Sequence, residues 1–299
     1  MYGKVEGRGR SCLKLKKKRK KSRLLEIWRR LKKNRLAVVS LFVLIMLVIV
    51  ALLAPVLAPY PYTQIDSKLK YAGPSHEHPL GNDQLGRDIL SRLLYGAQQS
   101  LQMGVIAVGI AATIGIIIGS IAGYFGGWVD NLSMRLLDIY SAMPMFLLCV
   151  SLAAILGPSL RNAIIALGIG SVPGYARMMR ASVLRVREME YIEATKAIRA
   201  RNGRIIFKHI IPNAIGPLIV QITMGVGGTI LAGAALSYIG LGVQPPIPEW
   251  GAMISEARSV MREYPTLALY PGICVMISAL ACNLLGDGLR DALDPRMKN

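Results

Sequence analysis

The chain has 299 residues, of which 53% are hydrophobic, and a mean hydropathy of +0.43. Soluble domains are closer to ~45–50% apolar, and here the excess lies in long uncharged runs, which excludes an ordinary globular protein and indicates a bilayer as solvent. The net charge of +19 is not spread over a surface: residues 1–35 hold 16 Lys and Arg against Glu6 and Glu26, a net of +14, which excludes a nucleic-acid-binding face along the whole chain.

The basic tail comes first. Its run Lys16-Lys17-Lys18-Arg19-Lys20-Lys21 fits a nucleic-acid or nuclear-targeting patch by composition alone. A membrane span follows directly, and positive charge beside a first span holds that end in the cytoplasm and touches anionic lipid. Residues 36–57 are apolar apart from Ser40 and carry no charge. These 22 residues exceed the ~20 needed to cross a bilayer, and they are too long for a cleaved signal core. Residues 59–97 are polar, with Lys68, Lys70, Arg87 and Arg92 balanced by Asp66, Glu77, Asp83 and Asp88. The first span therefore enters with its N-terminus inside and its loop outside.

Five further spans are predicted at about 101–124, 136–156, 162–179, 213–236 and 267–285. The second carries Gly115, Gly119 and Gly123 on one helical face, a close-packing signal. Pro144 lies inside the third and Pro173 inside the fourth, so bent helices around a path are expected. Six spans place both termini inside. The 177–209 segment agrees, with nine bases against Glu188, Glu190 and Glu193. The 240–266 segment, on the opposite side, has two bases and three acids.

Candidate chemistry is sparse. Cys12, Cys149, Cys274 and Cys282 form no CxxC pair and read as packing residues. His76 and His78 are spaced for a metal, but Pro79 follows and no partner ligand is near, so they read as loop residues and no metal site is expected. Asp138, Arg161 and Arg177 sit only at span ends, so no carboxylate relay crosses the membrane to carry protons. No G-x-x-x-x-G-K-[ST] loop occurs either. No cofactor is expected on this chain, and uphill transport would need an engine on another polypeptide.

The segment 186–212 is the candidate attachment point. Ile192, Thr195 and Ile198 share one helical face with Glu193 and Lys196 beside it, and Gly203 is expected to break the helix before an apolar stretch ending at Pro212. The pattern suits either a lever held against a soluble partner or a basic helix lying on anionic lipid. The segment 243–250, Val-Gln-Pro-Pro-Ile-Pro-Glu-Trp, is expected outside, where it either braces the bundle or touches a partner; its prolines and interfacial Trp250 favour bracing.

Glu193-Ala194-Thr195 and Ile211-Pro212-Asn213 resemble the "EAA" loop of binding-protein-dependent ABC importer permeases. Thr195 stands for the family's second Ala. Arg199 stands at its usual Gly, with Gly203 four residues further on. The segments 78–88, 123–130, 134–138, 173–177, 236–251 and 283–296 are similar, in order, to the dipeptide/oligopeptide/nickel permease subfamily, and the fit is to its C-type subunit. Gln98 is a departure, at a position where Arg is common. The resemblance implies an all-α bundle of six transmembrane helices with the type I importer fold. It divides the chain into a cytoplasmic tail (1–35), a first helix with its extracytoplasmic segment (36–97) and a permease core (98–299). It also implies an assembly in the cell membrane with a B-type permease, two ABC ATPases that hydrolyse ATP, and an extracytoplasmic solute-binding protein, with no nucleic acid. Glu193, Ala194, Thr195, Lys196, Arg199, Gly203 and Pro212 would couple to the ATPases. The stretch 286–291 would lie near the same face or simply cap a membrane exit. Peptides, nickel complexes and other small solutes are all compatible cargoes, and no residue is assigned to substrate.

Overall fold

The computed structural model describes residues 23–293, and the basic run 16–21 and Cys12 lie outside them. Helices α1 (Arg23–Leu31), α2 (Arg35–Leu57), α3 (Ile89–Phe125), α4 (Gly127–Tyr140), α5 (Met145–Leu156), α6 (Leu160–Arg187), α7 (Glu190–Ala197), α8 (Gly216–Tyr238), α9 (Trp250–Ala257) and α10 (Thr266–Leu293) follow in chain order. A continuous helical run at 202–214, part of it π-helical, joins α7 to α8. Apart from an isolated bridge between Asn82 and Asp88, the described residues have no strand pairing.

Among the described residues four helices are long and apolar enough to cross a membrane: α2, α3, α8 and α10. Most of α2 faces outward, with Leu36, Phe42, Leu52 and Val56 more than 60% exposed, as a lipid-facing helix requires. Its start is fixed by Asn34, whose side chain accepts from the Ala37 amide, an N-cap that satisfies an orphan donor. Helix α3 begins well before the expected residue 101, because the Asp88 carboxylate caps it through the Ser91 amide at 2.7 Å. Its 37 residues extend ~55 Å at 1.5 Å per residue, well beyond a ~30 Å hydrocarbon core.

The third expected span is not one helix. It breaks at 141–144 into α4 and α5, which meet at 76°. Pro144 has no amide hydrogen and disfavours helical backbone at Met143, so the helix stops and restarts there. The pair together is long and apolar enough to cross. The fourth expected span lies within α6, which holds Pro173 internally and runs on through Arg185 and Arg187. Helix α6 as a whole is not among the helices apolar enough to cross, because Arg161, Arg177, Arg180, Arg185 and Arg187 interrupt it, so among the described residues four of the six expected spans pass, or five with the bent pair.

The core is built where backbones meet closely. Gly115, Gly119 and Gly123 of α3 face Tyr175, Ala176, Met179 and Val183 of α6; a Cβ on Gly119 would sit 2.3 Å from the Ala176 carbonyl oxygen. No larger residue fits this seam, which is how small residues bring helices together in lipid. At the N-terminal end of α3, α9 packs against α8, with Gly251 against the Ala234 backbone. Trp250 is 1% exposed and its indole N–H donates to the Leu93 carbonyl at 3.2 Å. It is thus a buried anchor and not the interfacial residue expected from the sequence. Glu249, also 1% exposed, caps α9 through the Gly251 and Ala252 amides and accepts from the Ser100 hydroxyl. The segment 243–250 therefore braces the bundle, with Gln244 to Ile247 left exposed.

Candidate functional site

The EAA-like segment is fastened to the bundle from one side only. Ile192, Ile205, Ile206 and Ile210 are buried in one cluster with Met179, Val183 and Val186 of α6. Tyr124, at the end of α3, donates from its hydroxyl to the Asn202 amide oxygen at 2.9 Å, and the Lys196 ammonium lies 6.0 Å from the Tyr124 ring centre. The opposite side is open. Glu193, Ala194 and Lys196 are exposed, as are Arg199, Gly203 and Pro212. Thr195 is half-buried, and its hydroxyl donates back to the Tyr191 carbonyl. Ile198 is 78% exposed, so it does not share the buried face of Ile192 as the spacing suggested; α7 ends before it.

The helix also ends earlier than expected. Arg199, not Gly203, makes the turn. Ile198 is the C-cap, and Arg199 follows in the left-handed region at φ 52°. The Arg199 amide donates to the Lys196 carbonyl and the Ala200 amide to the Thr195 carbonyl, which is the bonding pattern of a Schellman cap. Glycine normally fills that position because a Cβ is costly there. The chain keeps the glycine conformation with an arginine in it. Gly203 lies in the helical turn Asn202–Arg204, and a Cβ there would meet nothing within 4 Å.

The second feature is a cleft of about 2010 Å³ between the α4–α5 elbow, α6, α8 and the end of α10. Its wall is largely apolar, including Met143, Phe146, Met178 and Met224, with polar Tyr140, Ser141, Gln221 and Thr229. Arg30, Arg177, Arg185 and Arg290 also line it, and no Asp or Glu does so among the described residues. Two ion pairs tie α4 to α6. Arg180 grips Asp130 in a two-pronged contact, and Arg177 donates to Asp138 at 2.9 Å and to Ser141 at 2.8 Å.

At the N-terminal end of α3, a buried charge network links the 59–88 segment to α9. Asp83 accepts from Arg87 at 2.6 Å and from Arg92 at 2.7 Å, and both arginines also reach Glu256. Burial pushes the Glu256 carboxyl above its usual range, and Arg87 pulls it part of the way back. His78, read from sequence as a loop residue, is buried with Nδ1 2.9 Å from Asp88. Nothing in the sequence paired Arg87 with Glu256, because 169 positions separate them. Tyr124 and Asn202, 78 positions apart, were missed for the same reason.

The family model for the binding-protein-dependent transport system inner membrane component matches residues 115–299. A model for the N-terminal transmembrane domain of oligopeptide transport permease C matches residues 22–74. The dipeptide transport system permease protein DppC of Alkalihalophilus pseudofirmus is 47% identical over 274 residues, covering 92% of this chain and 90% of the relative. The glutathione transport system permease protein GsiD of Escherichia coli O1:K1 / APEC is 45% identical over 276 residues, covering 91% and 90%. Among solved structures, an inward-facing MetNI methionine ABC transporter aligns with a TM-score of 0.54 at 20% identity, over 69% of this chain and 98% of that one. At that identity the likeness speaks for the fold alone.

Proposed function

The chain belongs to the family of binding-protein-dependent transport system inner membrane components, a multi-pass inner-membrane family of transport permease subunits, and from that premise we propose that it is the C-type permease of an ATP-driven peptide importer. The observation that carries the reading is the 190–214 segment. It is bolted to α3 and α6 by one apolar side and offers Glu193, Ala194 and Lys196 on the other. That geometry suits a lever pushed by a soluble engine. A helix resting on lipid would turn its apolar side outward, whereas here Ile192, Ile205, Ile206 and Ile210 are buried against the bundle and only Ile198 and Phe207 are left exposed among the large apolar residues of 192–210.

In this reading Glu193 meets a basic group on an ATPase, and Ala194, Thr195 and Lys196 complete the contact. The Arg199 turn sets the angle of α7, and Gly203 and Pro212 belong to the run that passes the motion into α8. A B-type permease closes the cleft from the far side. Two ATPases hydrolyse the ATP, and an extracytoplasmic binding protein delivers the solute. Both termini are placed on the cytoplasmic side, in keeping with the bases of 177–209 under the positive-inside rule. Peptide cargo is supported by the relatives named for dipeptide and glutathione transport.

The test is uptake of a labelled dipeptide by the complete complex in proteoliposomes. Glu193→Ala is expected to abolish uptake while the protein still inserts and assembles with its permease partner. Unchanged uptake would remove the coupling role from this segment.

A further inference from the structure

The cleft holds a charged group that nothing in the coupling reading uses. We propose that Arg177 is a cargo-contacting residue that takes the free α-carboxylate of a peptide passing through the cleft; this rests on the peptide-importer reading above.

A purely structural role is the competing explanation, since Arg177 bonds Asp138 and Ser141 on either side of Tyr140, at the elbow. Two observations weigh against it. Arg180, three residues on, already ties α4 to α6 through Asp130, with side chains 33% and 12% exposed. The Arg177–Asp138 pair is 44% and 66% exposed, the looser of the two ties. A strut is present without it. What the Arg177 pair adds is a guanidinium on the cleft wall.

The surroundings select the ligand. Arg177, Arg185 and Arg290 line the cleft, and Asp138 holds Arg177 from one side, so a carboxylate in the cleft would compete with Asp138 for the guanidinium. An arginine fork fits a carboxylate in two parallel hydrogen bonds. Gln221 lies against Gly174, its amide nitrogen 3.4 Å from where a Cβ would stand. Gly174 and Arg177 are three apart on α6 and so share a face. The buried Gln221 Oε1 and the Tyr140 hydroxyl have no hydrogen-bond partner among the described residues, and both residues line the cleft. An unpaired buried polar group costs ~1–3 kcal/mol, so a side-chain rotation that carried these two closed-off atoms to the backbone of a peptide would relieve that cost. A peptide supplies amide donors and acceptors beside its terminal carboxylate.

The experiment is a thermal-shift titration of the detergent-solubilised permease complex without its binding protein, using alanyl-alanine and alanyl-alaninamide at millimolar concentration. Alanyl-alanine should raise the melting temperature and the amide should not. Arg177→Gln should lose the shift and slow proteoliposome uptake at least tenfold. Asp138→Asn, which frees the guanidinium, should keep the shift, and it serves if the Arg177 variant does not assemble. Equal shifts with the two peptides, no shift at all, or an undiminished response in Arg177→Gln overturns the proposal. If the wild-type complex takes up no dipeptide in proteoliposomes, the importer reading fails; if it does and Arg177→Gln does so equally, only this proposal fails.

Discussion

The Tyr124 hydroxyl donates to the Asn202 side chain at 2.9 Å, and this bond is a direct polar tie between the end of α3 and the segment read as the coupling lever. The rest of the attachment is apolar, apart from the Lys196 ammonium 6.0 Å from the Tyr124 ring. Tyr124→Phe keeps the ring and the packing but leaves Asn202 without its donor, a loss of about 1 kcal/mol. Hydrogen exchange across 190–214 should accelerate about fivefold, while exchange in α8 and α10 is unchanged. Uniform acceleration through all helices would show that the bond supports the whole bundle instead of the segment.

Arg199 occupies a left-handed turn at φ 52°. A side chain there costs ~1–2 kcal/mol relative to glycine. Arg199→Gly should therefore raise protection across Glu190–Ala197 by about tenfold. Gly203→Ala should also be neutral or mildly protective, by up to ~1 kcal/mol, since Gly203 is helical and a Cβ there meets nothing. Loss of protection in Gly203→Ala would return the turn to the position that the sequence alone suggested.

That displacement shows where sequence reasoning stops. Apolar runs and helical spacing are local, so four of the six spans and the helix of the EAA-like segment were legible, while α6 forms a helix too rich in arginine to pass as an apolar span. The Gly115–Gly119–Gly123 stripe announced the α3–α6 seam for the same reason. Pro144 signalled a bend, but not that the chain would restart as a separate helix at 76°. The turn at Arg199 depends on burying Ile192 and Ile205 together against α6, a tertiary demand that overrides the residue's own preference. Arg87 and Arg92 were read as part of a neutral loop because their second partner, Glu256, comes from α9.

The glycine seam gives a paired test. A Cβ on Gly119 would collide with the Ala176 carbonyl at 2.3 Å, whereas one on Gly109 of the same helix meets nothing within 4 Å. Gly119→Ala should destabilise the protein by about 1–3 kcal/mol, the usual cost of overpacking, and lower its melting temperature in detergent. Gly109→Ala should leave it unchanged. Equal behaviour of the two would mean that α3 and α6 are not held at this spacing.

The Glu256 network carries a pH signature with a definite sign. Burial raises the Glu256 carboxyl, with Arg87 opposing and Asp83 reinforcing the rise. The folded protein therefore binds this proton at higher pH than the unfolded chain, where a glutamate titrates near ~4.3. A raised folded value means that the associated stability is fully present below the unfolded pKa and is lost as pH climbs through the folded one. The neutral isostere Glu256→Gln lacks this titration, while Asp83, Arg87 and Arg92 remain in both proteins. Measured by thermal unfolding in detergent, the wild type should be at its best relative to the variant near pH ~4 and should lose ground toward pH ~7. A difference that instead grew in favour of the wild type toward neutral pH would show that attraction from Arg87 and Arg92 outweighs the cost of burying the charge, making the network a stabilising clamp on α9.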